Sequence, residues 1–409
     1  MSSGISTSAA QAGHGAPFLS FSTVFNHYFV PDVLPDRMDT SESEQSRYSI
    51  RAGDVFLTRT SETVDELGMS CVALKDFPQA TYSGFLKRLR PKAPGLTDPK
   101  FMAFYLRSPL FRKTMTNNAV MVLRASLNEN IFSYLDLLLP DLDTQASIGE
   151  FLHLLMSMID LNNRINAELE ALAKTIYDYW FVQFDFPDAQ GRPYKSSGGA
   201  MVWNGTLKRE IPAGWDAGSL EALGKIAGGS TPSTAEAANF GQGMIPWITP
   251  KDLSNNKGNK FIARGETDVS EAGMRAASLT LYPAGTVLMS SRAPVGYLAI
   301  ALNPVTTNQG FKSFVPSKGY GTSFVYYAVK RALPTIIQHA SGSTFVEISG
   351  GVLKSVHAVL PDKAVTSAFC SAIEPIVQRQ KLAELENVEL TQLRDWLLPL
   401  LMNGQVRVA

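Results

Sequence analysis

Apolar residues recur at alternating spacings of three and four along the middle of the chain, at Leu155, Met158, Ile165, Leu169, Leu172, Ile176 and Tyr179, with Asn162 in the one vacant place. This is the stripe of a coiled-coil seam, and it predicts a long helix within 146–186. A lone Asn on such a seam fixes register and orientation at some cost in stability. Asp143 or Thr144 can cap the start, and Asp185-Phe186-Pro187 ends it. A second helical pattern runs from about Thr366 to Leu400 within 363–403. Its apolar face is Phe369, Ile373, Ile376, Leu382, Leu385, Leu393, Leu397 and Leu400, and Pro375 inside it predicts either a kink or a late start. Each helix is the other's natural partner. About 30 residues apiece gives roughly 45 Å of length.

Outside these helices the apolar runs are short and bounded by Gly, Pro and Asp. Val55 to Leu57, Met69 to Leu74 and Val120 to Leu123 read as strands, with a helix around Pro99 to Asn117. The chain then repeats itself at an offset sliding from about 230 residues to 216. Arg51-Ala52-Gly53-Asp54-Val55 is answered by Pro283-Ala284-Gly285-Thr286-Val287, Ser83-Gly84-Phe85-Leu86 by Gln309-Gly310-Phe311-Lys312, and Leu138-Leu139-Pro140-Asp141 by Val359-Leu360-Pro361-Asp362. Each copy runs from a Gly/Pro-rich strand region into a long helix. The expected architecture is α+β: a globular unit over 1–145, a helix over 146–186, a connector over 187–209, a second unit over 210–362 and a helix over 363–403.

With 409 residues and 45% apolar content the chain can bury more than one core. No apolar run near Met1 or elsewhere reaches the ~20 residues that cross a bilayer, so a cytoplasmic protein is expected. Cys71 and Cys370 lie far from any metal-ligand spacing, and His14, His27, His153, His339 and His357 are scattered, so neither a disulfide nor a metal site is expected. The net charge is zero, but the charge is segregated. From Lys75 to Arg124 ten basic residues face two acids, and from Ala272 to Val346 there are six basic residues and no acid. Both copies thus carry a basic stretch in the equivalent place, which points to a nucleic-acid partner.

No phosphate-binding loop occurs; Gly228-Gly229-Ser230-Thr231-Pro232 lacks its Lys and reads as a turn. Asn303-Pro304-Val305 lacks the second Pro and the aromatic that adenine methyltransferases stack on a flipped base. No catalytic residue is expected. What remains suits the reading of DNA, since Arg can bind a guanine edge, Asn or Gln an adenine edge, and Lys or Ser a phosphate. Candidates after the predicted strands are Arg59, Thr60, Lys87, Arg88 and Arg90 in the first copy, and Thr249, Lys251, Ser291, Arg292, Asn308, Gln309 and Lys312 in the second.

Gly229-Ser230-Thr231-Pro232-Ser233, Ile245-Pro246-Trp247-Ile248-Thr249-Pro250-Lys251-Asp252-Leu253, Thr307-Asn308-Gln309-Gly310-Phe311 and Ser341-Gly342-Ser343-Thr344-Phe345-Val346-Glu347-Ile348 resemble the specificity (S) subunit of type I restriction-modification systems. The resemblance implies two target recognition domains, each reading half of a split, asymmetric sequence of double-stranded DNA, joined by two long antiparallel helices that act as a ruler. The expected helix length is near the ~34 Å of one DNA turn plus the width of a docked domain. It further implies that the helices, through Leu155, Met158, Asn162, Ile165, Leu169, Leu172, Ile176, Ile376, Leu382, Leu385, Leu393 and Leu397, pair with each other and dock two methyltransferase (M) subunits, and that restriction (R) subunits join them. S-adenosylmethionine, ATP and Mg would then belong to those partners and no cofactor to this chain. One departure stands out: Glu210 to Ala227 has no counterpart before Gly4, so either the first domain borrows that strand or the start is late. A non-catalytic adaptor without DNA specificity is the alternative reading.

Overall fold

The computed structural model describes residues 1–6, 8–61, 66–93, 95–117, 120–121, 125–126, 136–292, 294–339 and 347–408. They form two compact units, Met1–Asp160 with Asn387–Ala409, and Leu161–Glu386.

In the first unit the wholly buried strand Val55–Thr58 sits inside an antiparallel sheet of order Ser2–Ser3, Leu86–Leu89, Val55–Thr58, Ser70–Val72. A three-stranded sheet, Asp36–Met38, Ala12–Leu19, Thr81–Tyr82, pairs Phe18 with Thr81 in parallel. Val120–Met121 is a strand, while Val122 and Leu123 of the expected run lie outside the described residues. The helix expected over Pro99 to Asn117 is two, Pro99–Tyr105 and Pro109–Asn117. Pro109 disfavours a helical residue before it but fits the first helical position, so the chain breaks and restarts there.

The second unit repeats this plan in register. Its larger sheet has the order Lys225–Ala227, Ser313–Val315, Val287–Met289, Leu298–Ala301, Phe261–Ile262. Ala227 pairs with Ser313 as Ser2 pairs with Arg88, and Trp247 pairs with Thr306 in parallel as Phe18 does with Thr81. Two glycines mark the same close approach in each copy. A Cβ on Gly4 would lie 2.1 Å from the Tyr82 carbonyl oxygen, and one on Gly229 would lie 2.1 Å from that of Thr307. The segment Glu210 to Ala227 contributes Arg209–Pro212, Asp216–Ser219, which pairs with His357–Leu360, and the turn Leu220–Leu223, whose end leucines enter the main core. Residues expected as a connector pack closely too: the rings of Phe186 and Tyr194 stack at 4.6 Å, and Phe186 stacks on Trp215 at 4.9 Å.

The long helices span Leu142–Tyr177 (36 residues) and Lys363–Met402 (40 residues). The first is capped by Asp141 and not by Asp143 or Thr144: its carboxylate accepts the Thr144 amide at 2.9 Å. The second starts twelve residues before Pro375 and runs on through it, so the late start is not realised. Pro375 and Ser371, whose carbonyl loses its partner, are both exposed, so water replaces the missing hydrogen bond. The helices run antiparallel. In the second unit Asn162 Nδ2 donates to Glu386 Oε2 (3.0 Å) and Gln380 Nε2 to the Asn166 carbonyl (3.3 Å). In the first, Leu152 and Leu398 share a core with Ile148 and Leu401.

The buried line of the first helix differs from the apolar stripe of the sequence. It runs through Ile148, Leu152, Leu155, Asn162, Asn166, Ala173 and Tyr177, leaving Met158 and Leu172 exposed, with Ile165, Leu169 and Ile176 half-buried. On the second helix Leu382, Leu385 and Leu393 are exposed and Ile376 and Leu397 half-buried, while Val377, Gln380, Ala383 and Glu384 are buried. Hydropathy picks the large apolar side chains. Close helix packing took small and hydrogen-bonded ones instead.

Candidate nucleic-acid interface

In the second unit the parallel pair Trp247–Ile248 and Thr306–Thr307 delivers two loops to one edge. Thr249 caps the short helix Pro250–Asn255 in a capping box with Asp252, which leaves Lys251 exposed in its first turn. The other loop is tied back by its own side chain: Asn308 Oδ1 accepts the Gly310 amide at 2.9 Å, and Asn308 N donates to Ile248 O at 3.1 Å. Gln309 points outward and meets the Thr231 hydroxyl. Ser230 N donates to Thr307 O (3.0 Å), and the Trp247 indole N–H holds the Ser230 carbonyl (3.2 Å). Ser291 N donates to Gly310 O (2.8 Å), and Arg292 Nε lies 3.4 Å from where a Gly310 Cβ would sit.

Thr249, Lys251, Ser291, Arg292, Asn308 and Gln309 are thus brought together, with Ser230 and Thr231 beside them. Lys312 is half-buried at the start of the next strand, its ammonium 3.6 Å from where a Gly228 Cβ would sit. Within this edge Ser291 Oγ and Thr307 Oγ1 are buried without a hydrogen-bond partner. Lys251 is paired with Glu266 at 2.7 Å, both side chains being mostly exposed.

The first unit treats its candidates differently. Arg59 is exposed and its amide donates to Phe85 O (2.9 Å), the counterpart of the Ser291 bond. Thr60 lies in the strand Thr60–Ser61. Lys87 is buried within Leu86–Leu89. Arg88 donates to the Ser49 carbonyl (2.9 Å) and lies over the Tyr82 ring. Arg90 grips Asp54 with two hydrogen bonds of 2.6 Å, and Asp54 is fully buried. A buried carboxylate needs a cation, so Arg90 serves the fold and not an outward edge.

Three further cations of the basic stretch are partnered, two of them with exposed carboxylates. Lys75 pairs with Asp32, Lys100 with Glu150, and Arg107 donates to the carbonyls of Ser70, Val24, Phe25 and His27; Arg124 lies outside the described residues, as does Ser341 to Val346 of the second copy. Sequence reasoning missed Ser20, which caps Thr23 as Thr249 caps Asp252, and Ser83, which sits where Asn308 does. Applying the repeat offset to Thr249 would have found Ser20; Ser83 lies one residue off the sequence match and emerges only from the strand register.

Among the described residues no group of His, Cys, Asp and Glu could hold a metal ion, and no helix is long and apolar enough to cross a membrane. Cys71 and Cys370 are free thiols, and burial pushes Cys71 up to about 12.

Two copies of one α/β domain, carried on two long antiparallel helices and each presenting a polar loop edge, define the class. The type I restriction modification DNA specificity domain matches residues 32–171 and 212–389, and the chain belongs to that family. The type I restriction enzyme MjaIX specificity subunit of Methanocaldococcus jannaschii is 39% identical over 194 residues, which is 46% of this chain and 44% of that protein. The HindI specificity subunit of Haemophilus influenzae is 25% identical over 325 residues, 67% of this chain and 70% of that one. The chain thus spans less than half the length of the first relative and somewhat over two thirds of the second. The S subunit of a type I system from M. genitalium shares the fold, with a TM-score of 0.58 at 13% identity over 98% of this chain and 92% of its own.

Proposed function

We propose that this chain is the DNA-specificity subunit of a type I restriction-modification complex, working in the cytoplasm on a bipartite asymmetric target in double-stranded DNA. Residues 1–145 and 210–362 are its recognition domains, 187–209 connects the first long helix to the second domain, and the long helices 146–186 and 363–403 form the spacer and the scaffold for two methyltransferase subunits and the restriction subunits. The observation that carries this reading is that the family domain matches twice, over the two copies that repeat one set of loops in register. The exposed apolar residues Met158, Leu172, Leu382, Leu385 and Leu393 suit the docking of a methyltransferase subunit. Catalysis, with S-adenosylmethionine, ATP and Mg, falls to the partners.

The test is to co-express the chain with its methyltransferase subunit in a host free of adenine methylation and to map N6-methyladenine across the genome. One bipartite motif with a fixed unread spacer is expected, and a joint Asn308→Ala, Gln309→Ala change should alter one half of it. An assembled complex that methylates nothing would overturn the reading in favour of an adaptor.

A further inference from the structure

Phe85 is 65% exposed in the first unit. A single exposed apolar side chain needs no explanation in itself, but the place of this one does. It stands at the tip of the loop between Thr81–Tyr82 and Leu86–Leu89, fixed on both sides: its amide donates to Ser83 Oγ (3.2 Å) and its carbonyl accepts from Arg59 N (2.9 Å). Because the second unit makes that last bond between Ser291 N and Gly310 O, Phe85 takes the place of Gly310 and Leu86 that of buried Phe311, one residue off the match of Phe85 with Phe311 that the sequence suggests. A Cβ on Gly310 would meet Pro250 Cγ at 2.8 Å and Asn308 Oδ1 at 3.0 Å, so no ring fits there.

The two loops therefore offer different chemistry from equivalent positions. The second presents the carboxamides of Asn308 and Gln309; the first, with Ser83 buried, presents Gly84 and a phenyl ring, with Ser6 and Arg59 as exposed polar neighbours. A ring cannot read donors and acceptors. The apolar feature of a base edge in the major groove is the C5-methyl group of thymine.

We propose that Phe85 is a specificity-determining residue of the first recognition domain, contacting a thymine methyl in its half-site. This rests on the DNA-reading function proposed above. The test uses the full chain in complex with its methyltransferase subunit and duplexes of the mapped target in which deoxyuridine replaces each thymidine in turn, removing one methyl group and nothing else. For the wild type, one replacement confined to a single half-site should weaken binding about fourfold, the transfer free energy of one such group. Phe85→Ala should bind that duplex and its parent equally, and Phe85→Leu should restore part of the discrimination. Replacements in the other half-site should act alike on all three proteins. Wild type indifferent to every replacement, or a penalty that persists in Phe85→Ala, overturns the proposal while binding of the parent duplex leaves the bipartite reading intact. A wild-type complex with no preference for the mapped target overturns that reading itself.

Discussion

Tyr28 in the first unit and Lys260 in the second hold equivalent places: the carbonyl of each accepts an amide from the neighbouring strand, Val72 N at 2.9 Å and Ile300 N at 2.8 Å. Around Tyr28 the solution is aromatic. Its ring lies 5.2 Å from that of Phe104 and faces the guanidinium of Arg107 at 4.7 Å, while Arg394 of the second long helix approaches at 5.9 Å. Around Lys260, which is 4% exposed, the solution is ionic. Its ammonium reaches Glu170 at 2.7 Å, Tyr327 at 2.7 Å and Gln380 at 2.6 Å, and Glu384 accepts the amides of Lys260 (2.8 Å) and Phe261 (2.9 Å).

Both arrangements join a sheet edge to the long helices, yet they differ in what the loss of one member leaves behind. A neutral ring leaves a gap; loss of the buried ammonium leaves Glu170 to Lys330 alone (2.5 Å) and takes the neighbouring cation from Glu384. Burial pushes Glu170 up, but Lys260 and Lys330 outweigh it and hold the carboxyl below its ordinary value. Burial pushes Lys260 down against the pull of Glu170. It also pushes Glu384 up to about 7, against the hydrogen bonds from the two amides.

The widest separation between the units should come from Lys260→Met against Tyr28→Leu. The first is expected to cost roughly 3 kcal/mol of unfolding free energy, the low end for a broken buried pair because Lys330 still holds Glu170, and the second about 1 kcal/mol through lost ring contacts. Calorimetry on both variants decides it, and equal losses would erase the distinction. Next in size is a pH effect confined to the second unit. The folded-state value of Glu384 is raised above 4.5, so its contribution is fully present below that pH and is lost as the pH rises through about 7. The loss should be on the order of 3 kcal/mol. Subtracting the stability curve of Glu384→Gln from that of the wild type isolates it, and parallel curves across this range would show that the carboxyl is not held as described. Smallest in stability is Lys251→Ala, whose pair with Glu266 is exposed: no measurable shift in melting temperature is expected. Its effect should instead be read on DNA, where the slope of log affinity against log salt should fall by about one. A large drop in melting temperature would place Lys251 with the inward cations of the first unit.

The helices, the tandem repeat and the strand Val55–Thr58 were legible because each is written in local spacing: a period near 3.5, a recurring order of short matches, an apolar run bounded by turn residues. The Thr249–Lys251 and Asn308–Gln309 loops were legible as polar turns, since turn chemistry and polarity sit in adjacent residues. Arg88 and Arg90 were misread. The acids and carbonyls that claim them, Asp54 and Ser49, lie some 40 residues away, and no local pattern ties them together. That the helix begins well before Pro375 was not legible for a related reason: whether a helix tolerates proline depends on whether the freed carbonyl is exposed, which is a property of the packed helix.

The amino-acid sequence by itself determined the two-fold plan, the helices and the family, because periodicity, repetition and motif order survive in one dimension. Only the tertiary structure decided which charges are free. The basic stretch from Lys75 to Arg112 is positive as a string of letters, but folding carries Asp32, Asp54 and Glu150 to Lys75, Arg90 and Lys100. It likewise decided that small Ala173 and Asn162, whose amide donates to Glu386, line the buried side of the first helix while Leu172 faces out. The physical reason is the same in each case. Desolvation and close packing act on neighbours in space, and a charge or a methyl group is placed by what surrounds it after the chain has closed on itself.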